Sequence, residues 1–359
     1  MPDMRREASV QSLLFDEPPA MPPTRYQGSK RKIAPWIADQ LADVPFDTVL
    51  DAFGGTGSVG YELKRRGKTV TYNDVLDFNH WIGCALIENN AAGLSESAQN
   101  RLVLPDPGRT YDDVVSRTFG GIYFTDAENR WIDVVVQNIQ RLPSGPAKAV
   151  AYYALFQAAL AKRPYNLFHR RNLYMRQADV ARSFGNKTTW DRPFEDHLRR
   201  FVAQANRAAF DNGRPCRAIS RDALDIDEPF ELVYVDPPYI NSRGVGVDYR
   251  RFYHFLEGLA DYSNWAGRID MASKHRCLSP TPAPWSSPAH LLQKLDGLFA
   301  RFADSVLAVS YRSDGIPSID EIERLLGRFK RHVRVARHRP YQYALSTNRN
   351  SREVLLIGT

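Results

Sequence analysis

Four consecutive residues combine a carboxylate, two rigid backbone carbonyls and an aromatic ring: Asp236, Pro237, Pro238 and Tyr239. The apolar run 232–235 before them is typical of a buried strand in a parallel sheet. Because prolines cannot continue a hydrogen-bonded ladder, this strand should end at Asp236. Ligands of open α/β sheets bind outside the carboxyl ends of the strands. We therefore expect these four residues to be catalytic rather than to form a surface turn.

A glycine-rich turn at residues 51–57 provides the second set of candidate residues. Its glycines, including Gly55 and Gly57, let the backbone approach a ligand closely. The carboxylate of Asp51 would attract an ammonium group and repel a pyrophosphate, so the turn favours S-adenosyl-L-methionine over a dinucleotide. Phe53 belongs to the same expected cofactor site. A second strand, 69–72, leads to Asp74, in the place where such sheets hold ribose hydroxyls; a helix N-cap is the alternative for this residue.

The Asp-Pro-Pro-Tyr motif, the Asp-x-Phe-x-Gly-x-Gly turn and their order along the chain resemble the D12 class (DNA adenine methylase type) of N6-adenine DNA methyltransferases. The resemblance implies that Asp236 and the carbonyl of Pro237 accept the N–H groups of an adenine N6. It also implies that Tyr239 stacks on the flipped-out base. No metal is expected, because the sulfonium methyl group of S-adenosyl-L-methionine is already activated.

Further cofactor contacts follow from the same resemblance. Lys30, in the basic loop 25–30, is expected near the cofactor's carboxylate, with Tyr26 alongside. Asp222 is expected beside the cofactor's adenine, and Asp236 is expected to face the cofactor as well as the base. Taken alone, the basic loop is equally typical of a solvated turn.

Residues 75–210 are far more than a crossover between two strands needs, and their apolar periodicity is helical. The later part, 162–190, interleaves cations with aromatic and amide side chains, a composition suited to phosphates and base edges. We expect target recognition here; a solvated basic helix is the alternative. The expected DNA contacts are Arg163, Arg170, Arg171, Asn172 and Lys187, together with Lys330, Arg331 and Arg334 in a second basic stretch.

These features predict an α/β protein with the fold of S-adenosylmethionine-dependent methyltransferases: a mostly parallel, Rossmann-like sheet with a largely helical inserted target-recognition domain. Residues 1–23 are expected to be a flexible N-terminal segment. The catalytic domain is expected at 24–74 and 211–359, and the insertion at 75–210. Residues 241–290 are expected to be a long polar loop that orders on DNA.

Composition sets limits on the partners and the compartment. The 359 residues carry a net charge of +7, which favours a polyanionic partner such as double-stranded DNA. The three cysteines show no metal-binding spacing, and no apolar run is long enough to span a membrane. With no signal peptide evident, we expect a cytoplasmic protein of a bacterial or phage-infected cell. A cognate restriction endonuclease would be its partner where one exists.

Three other functions share parts of this pattern. An N4-cytosine DNA methyltransferase activates its target amine in the same way but usually has Ser in place of Asp236. Analysis of the methylated product distinguishes the two. RNA and protein-glutamine methyltransferases carry related motifs, the latter usually with Asn at that position. A catalytically relict DNA-binding module would keep the fold without the activity, and a cofactor titration tests for it.

Overall fold

The computed structural model describes residues 18–91, 93–178, 187–340 and 351–359. The strands in chain order are β1 (Thr48–Asp51), β2 (Thr69–Asn73), β3 (Arg217–Ile219), β4 (Leu232–Val235), β5 (Val306–Arg312), β6 (Val333–Pro340) and β7 (Arg352–Gly358). The α-helices are α1 (Ala34–Gln40), α2 (Ser58–Arg65), α3 (Asp77–Gly83), α4 (Glu96–Val103), α5 (Val114–Thr118), α6 (Asp126–Gln140), α7 (Pro146–Ala161), α8 (Leu173–Gln177), α9 (Lys187–Asp191), α10 (Phe194–Ala208), α11 (Tyr249–Phe252), α12 (His254–Ala260), α13 (Tyr262–Trp265), α14 (Pro288–Arg301) and α15 (Ile319–Leu326).

The described strands form one sheet in the order β3-β2-β1-β4-β5-β7-β6. Strands β1 to β5 are mutually parallel, whereas β7 runs antiparallel to both β5 and β6. The chain builds outwards from β1 through β2 to β3 and then returns to β4 on the other side of β1. This reversal creates a crevice at the carboxyl ends of β1 and β4. The predicted mostly parallel, Rossmann-like sheet is confirmed.

Strand β4 ends where the sequence predicts. All of its residues, Leu232–Val235, are buried, and Asp236-Pro237-Pro238 continues as irregular backbone. Asp51 at the end of β1 pairs with Tyr234 of β4, so the two candidate carboxylates, Asp51 and Asp236, leave neighbouring strands at almost the same level. The sheet register therefore brings together residues that lie far apart in the sequence.

The described part of the segment between β2 and β3 consists of helices joined by loops and holds no strand. Its first helix, α3, packs closely on the sheet, since a Cβ atom at Gly83 would lie 2.4 Å from the ring of Tyr72. Its last helix, α10, contacts the helix layer through Ala208, whose carbonyl accepts a 2.8 Å hydrogen bond from the Tyr61 hydroxyl. The insertion therefore shares one hydrophobic core with the sheet.

The expectation of a long polar loop at 241–290 is wrong. The segment contains α11, α12 and α13, and the ring of Phe255 in α12 stacks on Phe168 of the insertion, with centroids 5.0 Å apart. The apolar residues at helical spacing in 255–265, which end in the buried Trp265, explain the difference. They form a helical face that packs against the insertion.

Part of the expected flexible segment, 1–23, is packed. The Met21 side chain is buried, and Tyr61 donates a 3.0 Å hydrogen bond to the carbonyl of Pro19. Arg65 binds the carbonyl of Pro18 in the same way. The prolines prevent regular structure here, but their carbonyls still accept hydrogen bonds from the helix layer. Residues 1–17 lie outside the described part.

Membrane spans and metal sites can be examined within the described ranges. Within them, no helix is both long and apolar enough to cross a membrane. The same ranges hold no cluster of His, Cys, Asp and Glu side chains suited to a metal ion.

A buried ion cluster holds the basic part of the insertion in place. Glu128 of α6 binds Arg176 at 2.6 Å and Lys162 at 2.7 Å, and both cations are almost fully buried. Burial alone would raise the pKa of Glu128, but the two cations outweigh burial and lower the pKa. The stabilisation is therefore present at neutral pH and is lost as the pH falls through this lowered pKa.

Replacing Glu128 tests how much this cluster contributes. We expect Glu128→Ala to lower the free energy of unfolding by about 3–5 kcal/mol, because it leaves buried cations without their carboxylate. The control is Glu195→Ala, which breaks the exposed pair with Arg199 and should cost at most about 0.5 kcal/mol. Urea denaturation of both variants gives the comparison, and equal losses would contradict the buried cluster.

Candidate active site

A cavity of about 730 Å³ opens at the carboxyl ends of β1 and β4. The glycine-rich turn forms one wall, the Asp-Pro-Pro-Tyr segment forms the floor, and residues 270–286 cover one side. The sequence-predicted residues that line it are Tyr26, Lys30, Asp51, Phe53, Gly55, Asp74, Asp222, Asp236, Pro237, Pro238 and Tyr239. Gly57 does not line the cavity; it precedes α2 with a φ of 72°, a conformation that favours glycine.

Asp236 lies next to a buried ammonium group. Lys30 Nζ is 3.0 Å from each carboxylate oxygen of Asp236, and it also donates to the Tyr239 hydroxyl and lies 3.4 Å from Glu353. Burial would lower the pKa of Lys30, but the two carboxylates hold that pKa above its ordinary value. Lys30 is thus a permanent cation in this site. Its N–H groups bind these protein acceptors, and Lys30 also lines the cavity, so a contact with the cofactor's carboxylate stays a prediction.

The pKa of Asp236 is raised, first by burial and then by the charge of Glu353, while Lys30 opposes both effects. Tyr239 contributes its hydroxyl rather than a free ring face on this side, because Lys30 Nζ lies 4.4 Å from its ring centroid. The ring is mostly buried and meets Tyr311 edge-on at 5.1 Å. Any stacking on a base must therefore use the part of the ring that faces the cavity.

Asp51 is the second carboxylate of the cavity. Its Oδ2 accepts a 3.1 Å hydrogen bond from the amide of Gly60, but no described residue donates to the buried Oδ1. Burial, followed by the charge of Asp236, raises the pKa of Asp51 to about 7. A buried, half-satisfied carboxylate is costly unless a donor reaches it. The site therefore suits a ligand that carries an ammonium group.

Asp74 fixes the glycine-rich turn. Its Oδ2 accepts hydrogen bonds from the amide of Gly55 at 2.9 Å and from Asn79 at 3.1 Å, and its Oδ1 accepts from the amide of Leu76 at 2.9 Å. Burial raises the pKa of Asp74 to about 6 despite these bonds. An ionised carboxylate has about four acceptor positions, so one remains for a ligand hydroxyl.

Asp222, Phe53 and Trp285 line a slot of the cavity in which the two aromatic rings meet edge-on. Trp285 donates a 3.2 Å hydrogen bond to Asp222, and its ring meets Phe53 at 4.8 Å. Asp222 also accepts from the amide of Leu224 and begins a short 3₁₀ turn. Two aromatic rings beside a carboxylate suit a planar heterocycle that has an amino group.

Tyr26 lies in a column of three tyrosine rings. It stacks on Tyr253 at 4.5 Å and on Tyr249 at 5.4 Å, with interplanar angles of 12° and 15°. Gly28 permits this packing, since a Cβ atom there would lie 2.7 Å from the Tyr249 hydroxyl and its φ is +81°. The column joins the basic loop to α11 and α12, and through α12 to the insertion.

Three of the expected DNA contacts are wrong, because their side chains are buried, and two of these side chains bind backbone carbonyls inside the protein. Arg163 donates to the carbonyls of Leu167, Arg170 and Tyr123, and Asn172 is almost fully buried. Lys330 donates to the carbonyls of Ala303 and Ser305. Burial lowers the pKa of both Arg163 and Lys330. These basic side chains satisfy backbone carbonyls instead of reaching solvent.

The other expected DNA contacts are exposed. Arg170 and Arg171 lie on the insertion surface, whereas Lys187 pairs with Asp191 at 2.8 Å. Arg334 binds Gln40, and both Arg331 and Arg334 lie at the amino ends of the parallel strands. The cavity opens at the opposite edge of the sheet, so these two arginines are far from the chemistry.

Four residues of the site were not found from the sequence. Tyr249 and Tyr253 are four residues apart, and this helical spacing of aromatic residues was a usable signal. Trp285 stands in an irregular, proline-rich segment with no such signal. Glu353 is the acidic residue in a strand that is otherwise buried and apolar, and this anomaly could have identified it.

Comparison with known proteins agrees with this geometry. The model of the family "D12 class N6 adenine-specific DNA methyltransferase" matches residues 26–270. The type II methyltransferase M2.HphI of Haemophilus parahaemolyticus is 28% identical over 342 residues, which cover 93% of this chain and 96% of that protein. The type II methyltransferase M.NlaIII of Neisseria lactamica is 23% identical, and the match covers 90% of this chain and 94% of that protein. The modification methylase LlaI of Lactococcus lactis subsp. lactis is 25% identical over 85% of this chain, which spans about half of that methylase.

The turn that lines the cavity should tolerate no side chain at Gly54. A Cβ atom there would lie 2.1 Å from the ring of Tyr72, so we expect Gly54→Ala to lower the free energy of unfolding by about 1–3 kcal/mol. Gly267→Ala is the control, because nothing lies within 4 Å of a Cβ atom at that position. Thermal melting compares the two, and a Gly54→Ala variant as stable as the control would contradict the described turn.

Proposed function

Because the chain belongs to the family of D12 class N6 adenine-specific DNA methyltransferases, we propose that it methylates N6 of an adenine flipped out of double-stranded DNA at a specific site. The methyl donor that we propose is S-adenosyl-L-methionine. One observation carries the proposal: Asp236, Pro237 and Tyr239 lie at the carboxyl end of β4 and open into the cavity beside Asp51.

The chemistry depends on hydrogen-bond acceptors for the amino group. The lone pair of an adenine N6 is delocalised into the ring, and acceptors for its N–H groups localise this pair on nitrogen. The carboxylate of Asp236 and the carbonyl of Pro237 are the acceptors at the cavity floor. As N6 gains positive charge, the Asp236 carboxylate stabilises it and takes up its proton. Lys30 keeps Asp236 ionised and in place for this role.

The cavity residues fit the proposed cofactor. The orphaned Oδ1 of Asp51 would bind the ammonium group, the free acceptor position of Asp74 a ribose hydroxyl, and the slot of Phe53, Trp285 and Asp222 the adenine. When bound, S-adenosyl-L-methionine supplies a methyl group that its sulfonium has activated. The protein contributes the positions of the donor and the acceptor.

Exposed cations lie near His275, between the insertion and the cavity mouth. Burial lowers the pKa of His275, and so do the nearby charges of Arg251, Arg171, Arg163 and Lys274. Arg251 and Lys274 line the cavity, whereas Arg171 belongs to the insertion, so the two regions adjoin at His275.

The rim also carries Asp248 and Asp270, but Asp248 caps α11 and Asp270 holds its own turn. We propose the surface of Arg171, Arg251 and Lys274 as the phosphate-binding surface. Arg170, beside Arg171, belongs to the same exposed face of the insertion. We also propose that residues 75–210, together with α12, recognise the target site.

The biological setting is proposed from the relatives. Two of them are named type II methyltransferases and the third a modification methylase, so we infer that this enzyme belongs to a restriction-modification system. Its partner would then be a nuclease of the same specificity, and its compartment the cytoplasm of a bacterial or phage-infected cell.

Methylation assays with labelled S-adenosyl-L-methionine, followed by nucleoside analysis, test the proposed reaction. We expect N6-methyladenine as the product and a loss of at least about 10²-fold in rate for Asp236→Ala, because the acceptor for N6 is gone. Asp227→Ala changes an exposed carboxylate outside the cavity and should keep the wild-type rate. N4-methylcytosine as the product, or an active Asp236→Ala variant, would contradict the proposal.

Salt-dependent binding tests the proposed phosphate contacts. Arg171→Ala and Arg251→Ala should each weaken duplex binding and reduce the slope of log K against log salt by about one, because each change removes one phosphate contact. Arg331→Ala at the far edge of the sheet is the matched control and should leave the slope unchanged. If the slope changed only in Arg331→Ala, the DNA would bind at the amino ends of the parallel strands, which would contradict the proposed surface.

A further inference from the structure

Glu353 is a fully buried carboxylate near the start of β7, the strand next to the edge of the sheet. It begins the apolar part of β7 and lies opposite Arg312 of β5. Its Oε1 accepts 2.6 Å hydrogen bonds from the hydroxyls of Tyr239 and Ser310, and it lies 3.4 Å from Lys30 Nζ. A buried charge in a sheet is costly unless it is paired and hydrogen-bonded. Glu353 and Ser310 both lie beyond residues 26–270, the range that the family model matches.

We propose that Glu353 is a positioning residue for the methyl-transfer reaction, which clamps Lys30 and Tyr239 so that the Asp236 carboxylate stays fixed at the cavity floor. This inference rests on the proposed function. Glu353 is proposed to touch neither base nor cofactor; it holds Lys30 and Tyr239 by contact, and its charge acts on Asp236.

The geometry carries the proposal in two steps. First, Lys30 has one ammonium group between two carboxylates, Asp236 and Glu353, and Tyr239 bridges the same groups through its hydroxyl. Second, Lys30 comes from the loop before α1 and Asp236 from the end of β4. Without a second anchor, the Lys30 side chain could follow Asp236 wherever that carboxylate moved. Glu353, held by the strand pairing of β7, is an anchor that does not move with the loop.

The charges of Lys30 and Glu353 act on Asp236 in opposite directions, so the role of Glu353 can be measured by titrating Asp236. In the wild type, the charged partners of Asp236 within this cluster are the cation Lys30 and the anion Glu353. Removing the anion with Glu353→Gln leaves the ammonium to act on Asp236 alone, so Asp236 should lose its proton at lower pH. Removing the cation with Lys30→Met should have the opposite effect. The double variant removes both charges, and its titration should return towards that of the wild type.

Other groups near Asp236 stay the same in all of these variants. Asp236 also interacts with Asp51, Tyr234, Tyr249 and Tyr311, and Glu353 with Tyr234 and Tyr249. They are present in each variant, so differences between variants report the Lys30 and Glu353 charges. Ser310→Ala is the neutral control, because it removes a hydrogen bond to Glu353 without changing any charge.

The experiment is a pH titration of the Asp236 carboxyl carbon by NMR in full-length protein labelled with ¹³C at aspartate Cγ. The resonance is assigned by its disappearance in Asp236→Asn. We expect the midpoint to fall by about one pH unit in Glu353→Gln, to rise in Lys30→Met, and to stay near the wild type in Ser310→Ala. The single-turnover methylation rate should be measured against pH for the same variants. Its acid limb should lie at lower pH in Glu353→Gln and at higher pH in Lys30→Met than in the wild type. A positional role further predicts a lower maximal rate for Glu353→Gln with unchanged cofactor affinity.

The outcomes separate the inference from the proposed function. A wild type that does not methylate adenine overturns the function, whatever the titrations show. A wild type that methylates, with an unchanged or raised midpoint in Glu353→Gln, overturns the role of Glu353 alone. Should Glu353→Gln fail to fold, Lys30→Met is compared with the double variant. The midpoint must then be lower in the double variant, and equal midpoints overturn the proposal.

Discussion

A buried ammonium group between two carboxylates is the interaction on which the site depends. Lys30, Asp236 and Glu353 come from a loop, the end of β4 and the start of β7, and none of them would be stable in the interior without the others. The sheet order solves this problem, because it places β4, β5 and β7 side by side. The cost of burying three charges is offset by their mutual pairing. The result is a carboxylate of defined charge and direction at the cavity floor.

A second constraint links this floor to the part of the protein that is proposed to meet DNA. Tyr26 and Tyr249 of the tyrosine column line the cavity, and Phe255, two residues after Tyr253, stacks on Phe168 of the insertion. These rings leave little free volume between the cavity and the insertion. The insertion and the cavity therefore belong to one packed body.

Much of the fold and the centre of the site followed from the sequence. Strand β4 and its stop at Asp236 were predictable because proline chemistry is local, and the helical insertion was predictable from periodicity. The errors have a common cause. Arg163 and Lys330 looked like solvent-facing cations, but their partners include backbone carbonyls 40 and 27 residues away in the sequence, which no local pattern reveals. The same holds for Trp285, whose partner Asp222 lies 63 residues earlier in the chain.

The central proposal is that Asp236 and Pro237 accept the amino group of a flipped adenine. The distance between the target amine and Asp236 in a complex tests this most directly. A crystal structure with a duplex that contains the methylated site and a non-reactive analogue of S-adenosyl-L-methionine would show it. We predict a flipped adenine whose N6 lies within hydrogen-bond distance of both the Asp236 carboxylate and the Pro237 carbonyl. Lys30 should still be bound to Asp236. An adenine that remains stacked in the duplex, or an Asp236 that has left Lys30 and faces away from N6, would contradict it.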